Sequence, residues 1–167
     1  MKGMMEVYQT LEFPPITSDG IFLAGPTARD IDKLCGWRKG AFEIFDEEFK
    51  CDLYIPEFRN GKTSDWTYDR QVIWEISLLN HARVIMFWIP RSEELPAFTT
   101  NIEFGEWVNS GKIVVGCPDG AEKMDYIRTR CKFNNIPVHK TLKETVEAAI
   151  AMFQARKLTE SYAKKNN

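Results

Sequence analysis

Residues 83–89 read RVIMFWI, a nearly unbroken apolar run that ends at Pro90. A run of this kind, apolar on both sides of the pleat, predicts a central strand covered on both faces. The rest of the chain supplies the cover. Residues 20–25 (GIFLAG) predict a buried strand that stops abruptly at Gly-Pro. Leu34, Trp37, Ala41, Ile44, Phe45 and Phe49 fall at helical spacing and predict a helix over 33–49. Residues 51–55 (CDLYI) form the next strand, closed by Pro56, and a turn-rich connection follows over 57–65. Val72, Ile76 and Leu79 share one face of a helix over 67–81. Beyond the central strand come a loop to Thr99, a helix over 101–109 and a strand at 112–116. A helix over 121–134 and a short fifth strand at 137–139 precede a final helix marked by Leu142, Val146, Ala149, Ile150 and Phe153.

Strands alternating with helices imply an α/β chain with a parallel sheet and helices on both faces. No repeat or linker interrupts it, so residues 1–167 read as one domain with a core at about 20–155. Residues 1–18 read as an irregular extension, in which residues 6–11 are extended but have no assigned place in the sheet. Residues 158–167 read as a charged, frayed tail.

Twenty-two Lys+Arg against 24 Asp+Glu leave a net charge of -2, without the basic excess that a nucleic-acid polymer requires. A pocket for a single nucleotide is still compatible with that balance. No apolar run reaches the roughly 20 residues that span a bilayer, and the N-terminus has no secretory pattern. Four dispersed cysteines without a C-x-x-C pair, and only two histidines, argue against a disulfide or zinc framework. A reduced cytoplasmic protein without a bound metal is the expectation. The five Trp and 13% aromatic content imply that some rings line a pocket or an interface.

Open α/β sheets bind ligands at the carboxyl ends of their strands. Three loops there carry unusual residues. In Leu23-Ala24-Gly25-Pro26-Thr27, Gly25 and Pro26 either bring backbone close to a substrate or make a tight turn. Neither G-x-G-x-x-G nor G-x-x-x-x-G-K-[ST] is present. Nearby Arg29 and Arg38 either meet an anion or are solvated. In Thr99-Thr100-Asn101-Ile102-Glu103-Phe104-Gly105, the spacing of Thr100 and Glu103 fits a helix capping box. It equally fits a carboxylate held ionised by the dipole of a first helical turn, ready to act as a nucleophile. The third stretch runs Asp65-Trp66-Thr67-Tyr68-Asp69-Arg70-Gln71 and leads to Trp74-Glu75. There Ser64 or Asp65 caps the helix. Glu75 either pairs with Arg70 or Arg83, or sits half-buried with a raised pKa and carries a proton. Two carboxylates in unlike environments suit glycosidic chemistry. His81 at a helix end and His139 in a strand carry no such pattern, and no G-x-S-x-G elbow is present.

In order, the chain shows Ile21-Phe22-Leu23-Ala24-Gly25-Pro26, Gly36-Trp37-Arg38, Trp74-Glu75, Phe87-Trp88-Ile89-Pro90-Arg91, Thr100-Asn101-Ile102-Glu103-Phe104-Gly105 and Gly111-Lys112. These motifs, over about residues 20 to 130, resemble the nucleoside 2-deoxyribosyltransferase-like proteins. The resemblance implies a flavodoxin-like (Rossmann-like) three-layer fold with a five-stranded parallel sheet in the order 2-1-3-4-5. It also implies a homo-oligomer with shared active sites, and cleavage of an N-glycosidic bond through a covalent glycosyl ester without a cofactor. Glu103 takes the place of the nucleophile and Glu75 that of the acidic residue managing the proton on the base. Gly25, Pro26 and Asn101 line the substrate, joined by Trp66 and Asp69. Arg29 and Arg38 would suit a 5′-phosphate, and Trp66, Trp88 and Phe98 either stack on a base or belong to the core.

The chain also departs from the family. Where typical members have a first-strand Tyr bonded to the nucleophile, the aligned residue is Ile21, flanked by Phe22. The acidic residue usual before the third strand is Arg83, and Pro96-Ala97-Phe98 lacks the family's base-binding Asp. The implied partners are a nucleoside or nucleotide and a free nucleobase. The activity expected first is transfer of the sugar to a second base. Alternatives are hydrolysis of nucleoside 5′-monophosphates, a non-catalytic nucleotide-binding module and an unrelated flavodoxin-like binding protein.

Overall fold

In chain order the elements are β1 (Val7–Gln9), β2 (Gly20–Ala24), α1 (Gly36–Glu48), β3 (Asp52–Ile55), α2 (Tyr68–His81), β4 (Val84–Trp88), α3 (Phe98–Trp107), β5 (Ile113–Gly116), α4 (Asp125–Phe133), β6 (Val138–His139) and α5 (Leu142–Lys165). They belong to a computed structural model that describes residues 5–27 and 36–165. The six strands form one parallel sheet in the order β1-β3-β2-β4-β5-β6. The apolar run yields β4, whose five residues are all buried between β2 and β5. Successive side chains of a strand point to opposite faces, and β2 shows the consequence. Phe22 joins Phe87, Trp74, Phe104 and Ile127 in a core beneath α2, α3 and α4. Ile21 and Leu23 join Met86, Phe45, Val146 and Phe153 beneath α1 and α5.

Several expectations need correction. The sheet has six strands, not five in the order 2-1-3-4-5, because residues 7–9 form a strand instead of an irregular extension. β1 lies parallel to β3, with Val7 opposite Leu53 and Gln9 opposite Ile55. Its place is set by distant partners: the Tyr8 and Tyr54 rings lie 6.1 Å apart, and Arg59 donates to the Val7 carbonyl at 2.8 Å. The other five strands run β3-β2-β4-β5-β6. α5 continues to Lys165 instead of fraying after Lys157, and Glu160 on it pairs with Arg83 at 2.8 Å. α4 begins at Asp125 instead of 121, just after Lys123 in a left-handed conformation (φ 50°). α3 begins three residues before the expected 101, immediately after left-handed Ala97 (φ 57°).

Gly25 ends β2 at φ 151°, a conformation that L side chains rarely adopt. A Cβ there would collide with the Trp88 carbonyl oxygen and come 2.8 Å from Cζ2 of Trp37. Gly25→Ala is therefore expected to destabilise the fold by about 2–3 kcal/mol, read as a lower Tm in a thermal melt. A Tm within a degree of the parent would contradict this picture of the loop.

Candidate active site

The loop after β2 is held from beneath by Arg38, on α1. This residue is 2% exposed, so it is not a solvated charge. Nε donates to the Leu23 carbonyl at 3.2 Å and Nη2 to the Gly25 carbonyl at 2.8 Å. Nη1 donates to Thr27 Oγ1 at 2.9 Å and to Glu57 Oε1 at 2.6 Å. Four of the five guanidinium N–H groups are thereby engaged. The guanidinium also stands 4.4 Å from the Trp37 ring centroid, and Trp37 Nε1 donates to the Pro26 carbonyl at 3.1 Å. Gly25 and Pro26 are thus presented by backbone oxygens pinned to α1. Arg29 lies outside the described residues.

Above this loop the structure brings together the two carboxylates singled out by sequence. Glu75 projects from α2 and Glu103 from α3, each half-buried. Glu75 does not pair with Arg70 or Arg83. Arg70 binds Asp65, Arg83 binds Asp19 and Glu160, and Glu75 accepts from Gln71 Nε2 at 2.9 Å. Burial raises the Glu75 pKa, against the Gln71 hydrogen bond and the Arg38 charge. Glu103 is pushed up to about 8, first by burial and then by the negative charge of Glu75. Arg38 opposes that rise and Glu106 adds to it.

This overturns the expectation that a helix dipole keeps Glu103 ionised. With α3 starting at Phe98, Glu103 lies in the second turn, beyond the reach of the terminal N–H groups. Nor is there a capping box: Thr100 is inside the helix and 2% exposed, and the N-cap is Ala97, without a side-chain bond. Instead two carboxyls share a partly dry site near the Arg38 charge, where repulsion favours holding one proton between them near neutrality.

The other candidates divide. Trp66 joins the carboxylates, because its Nε1 donates to Gln71 Oε1 at 3.1 Å, and Lys62 Nζ stands 3.7 Å from its ring centroid. Asp69 is exposed in the first turn of α2, where Thr67 is the actual N-cap in place of Ser64 or Asp65. At six residues from Glu75, Asp69 faces roughly 120° away around the helix. Asn101 turns roughly 160° from Glu103 and accepts instead from Arg91 Nη2. Trp88 belongs to the core, whereas Phe98 is exposed. Phe22, not Ile21, is the β2 side chain packed against the layer carrying the carboxylates, 6.3 Å from Trp74, and it has no hydroxyl to offer. Glu57 and Gln71 were not anticipated. Gln71 is one helical turn before Glu75, a spacing that puts both on one face. Glu57 directly follows the Pro that closes its strand, a weak positional signal.

Among the described residues, no three His, Cys, Asp or Glu side chains cluster as metal ligands. No helix there is long and apolar enough to cross a membrane. A cavity of about 820 Å³ lies at the opposite, amino-terminal edge of the sheet, lined in part by Asp19, Arg83, Lys112 and Glu160. Its inner cations have structural partners. Lys112 donates to the carbonyls of Leu79, Asn80 and Ala82 at 2.8–3.0 Å, closing the end of α2.

A family model described as nucleoside 2-deoxyribosyltransferase like matches residues 19–121, well over half of the chain. The matched segment includes Gly25, Arg38, Glu75 and Glu103. No curated protein matches the chain.

Proposed function

The chain belongs to the nucleoside 2-deoxyribosyltransferase-like family, and from that membership we propose that it cleaves the N-glycosidic bond of a nucleoside, with Glu103 as nucleophile and Glu75 as proton carrier. The observation that carries this reading is the pair of half-buried carboxyls with raised pKa values, both within reach of the Arg38 charge.

Positive charge developing at C1′ favours ionised Glu103, so the shared proton moves toward Glu75 as the sugar–base bond lengthens. Glu103 then forms an ester to C1′. The electron pair of the broken bond passes to the base nitrogen, which takes the proton from Glu75. In the second half the nitrogen of another base attacks C1′, Glu75 takes its proton, and the Glu103 carboxylate is released. If water attacks instead, the same steps give hydrolysis. The displacement balances without a cofactor.

The backbone of Gly25 and Pro26 borders the substrate in this reading, and Trp66 borders it beyond Glu75. Arg38 is engaged with Glu57 and the loop, which weighs for a nucleoside over a 5′-monophosphate. Exposed Ile73 and Ile76 flank Glu75, while exposed Phe98 and Ile102 flank Glu103. That apolar rim supports a homo-oligomer whose subunits meet beside the site. Buried, free Cys51, Cys117 and Cys131 suit a reducing compartment, in keeping with the cytoplasm.

The test is chromatography of the four deoxynucleosides and their 5′-monophosphates, with and without a second free base. The expected result is a new nucleoside that disappears with Glu103→Ala. Free base released without exchange would make the protein a hydrolase. Full activity in Glu103→Ala would overturn the assignment of the nucleophile.

A further inference from the structure

The amide of Gln71 lies between Trp66 and Glu75, and its orientation is determined by chemistry. An indole N–H only donates, so the Gln71 atom 3.1 Å from Trp66 Nε1 must be the oxygen. The amide nitrogen is therefore the atom 2.9 Å from Glu75 Oε1, and it donates there. In a protonated carboxyl the carbonyl oxygen is a much stronger acceptor than the hydroxyl oxygen, so the amide favours Oε1 as the carbonyl oxygen. When Glu75 is protonated, its proton is thus directed to Oε2.

We infer that Gln71, locked by Trp66, is a positioning residue that determines which oxygen of Glu75 carries the transferable proton. The inference rests on the glycosidic reading for its purpose, although the hydrogen bonds stand without it. The helix supplies the alignment, since Gln71 and Glu75 are one turn apart on α2. The preceding loop supplies the lock. Trp66 lies edge-on to Phe58 with ring centroids 6.5 Å apart, the Lys62 ammonium covers it at 3.7 Å, and Trp66 N donates to the Thr63 carbonyl at 3.0 Å. These contacts fix the direction of the indole N–H. They also give Trp66 a role other than stacking on a base, because Lys62 occupies one of its faces.

The charged groups acting directly on the two carboxyls come from α1 and α3. Glu103 on α3 is the like charge coupled to Glu75, and Arg38 on α1 lowers both carboxyls. Gln71 on α2 supplies the hydrogen bond to the ionised form. Glu57 acts only through Arg38, which it pairs at 2.6 Å, and Glu106 acts on Glu103.

The test uses the full chain in two variants and a readout that packing alone would not move. Glu75 is titrated in the free protein by carboxyl carbon NMR, beside the pH profile of kcat/KM. Gln71→Leu removes the donor to the charged form and is expected to raise the Glu75 titration by about half to one pH unit and lower kcat by about tenfold. Trp66→Phe keeps an aromatic ring against Phe58 and Lys62 but frees the amide to turn over. It is expected to shift the titration the same way by a smaller amount. Unchanged Glu75 titration in both variants would overturn the proposal. So would a Trp66→Phe protein in which KM rises and the titration does not move, since that is the behaviour of a stacking residue. If the parent turns over no nucleoside while the titrations shift as expected, the glycosidic reading fails and the positioning of the proton stands.

Discussion

Glu103→Gln is expected to remove turnover by at least about 10³-fold and, at the same time, to make the protein more stable as pH rises. The second effect follows from the proton. Glu103 is held at about 8 in the folded chain, against an ordinary value of 4.5. Between those values the folded chain keeps a proton that the unfolded chain has released. The parent's stability therefore falls with rising pH across this window and stays level with respect to this group outside it. A neutral amide of the same shape has no proton to lose. The gain of the variant over the parent should be smallest at pH 4.5 and grow up to pH 8. Solvent on one side of the half-buried carboxyl moderates the effect, leaving a change on the order of 2–3 kcal/mol across the window. Thermal melts at pH 5 and pH 9 provide the check. An equal difference in Tm at both pH values would show that Glu103 ionises normally in the folded protein.

Arg38→Met should produce the largest loss of stability. The substitution preserves much of the apolar stem but deletes the bonds to Leu23, Gly25 and Thr27. Glu57, 9% exposed, is left as a buried charge without its guanidinium partner. Breaking one side of such a pair costs about 3–5 kcal/mol, mostly because the remaining charge is uncompensated. Urea unfolding should show the loss as a lower midpoint, and adding Glu57→Leu should restore part of it. A loss below about 1 kcal/mol would mean that the pair contributes no more than a surface ion pair. The same substitution removes a positive charge that lowers both Glu75 and Glu103, so both carboxyls should titrate higher.

Both expectations depend on features that residue patterns express only in part. The central strand was legible because an unbroken apolar run has few other uses, and α2 because Val72 and Leu79 recur at helical spacing. Glu75 and Glu103 were legible as chemical candidates from their positions at the sheet's ligand edge. Their protonation was not. The start of α3 depends on left-handed Ala97, and alanine gives no sign of that conformation. A reading that begins the helix three residues late puts Glu103 in the first turn and assigns it the wrong charge. Asp69 and Asn101 share helices α2 and α3 with the two carboxylates, but the helical rotation turns them away.

Local patterning alone therefore determined the alternation of strands and helices and the parallel sheet, and it picked out Glu75 and Glu103 as candidates. Each follows from periodicity or from a residue's place in a loop, which near neighbours in the chain dictate. Tertiary structure decided the sixth strand, the burial of Arg38 and the proton at Glu103. β1 gains its position from Tyr54 and Arg59, far along the chain. Buried Arg38 is neutralised by Glu57, 19 residues away, and bonded to the loop after β2. The pKa of Glu103 is raised because burial excludes water from it and α2 brings a second carboxylate beside it. Desolvation and charge coupling depend on distance in space, and only the folded chain sets that distance.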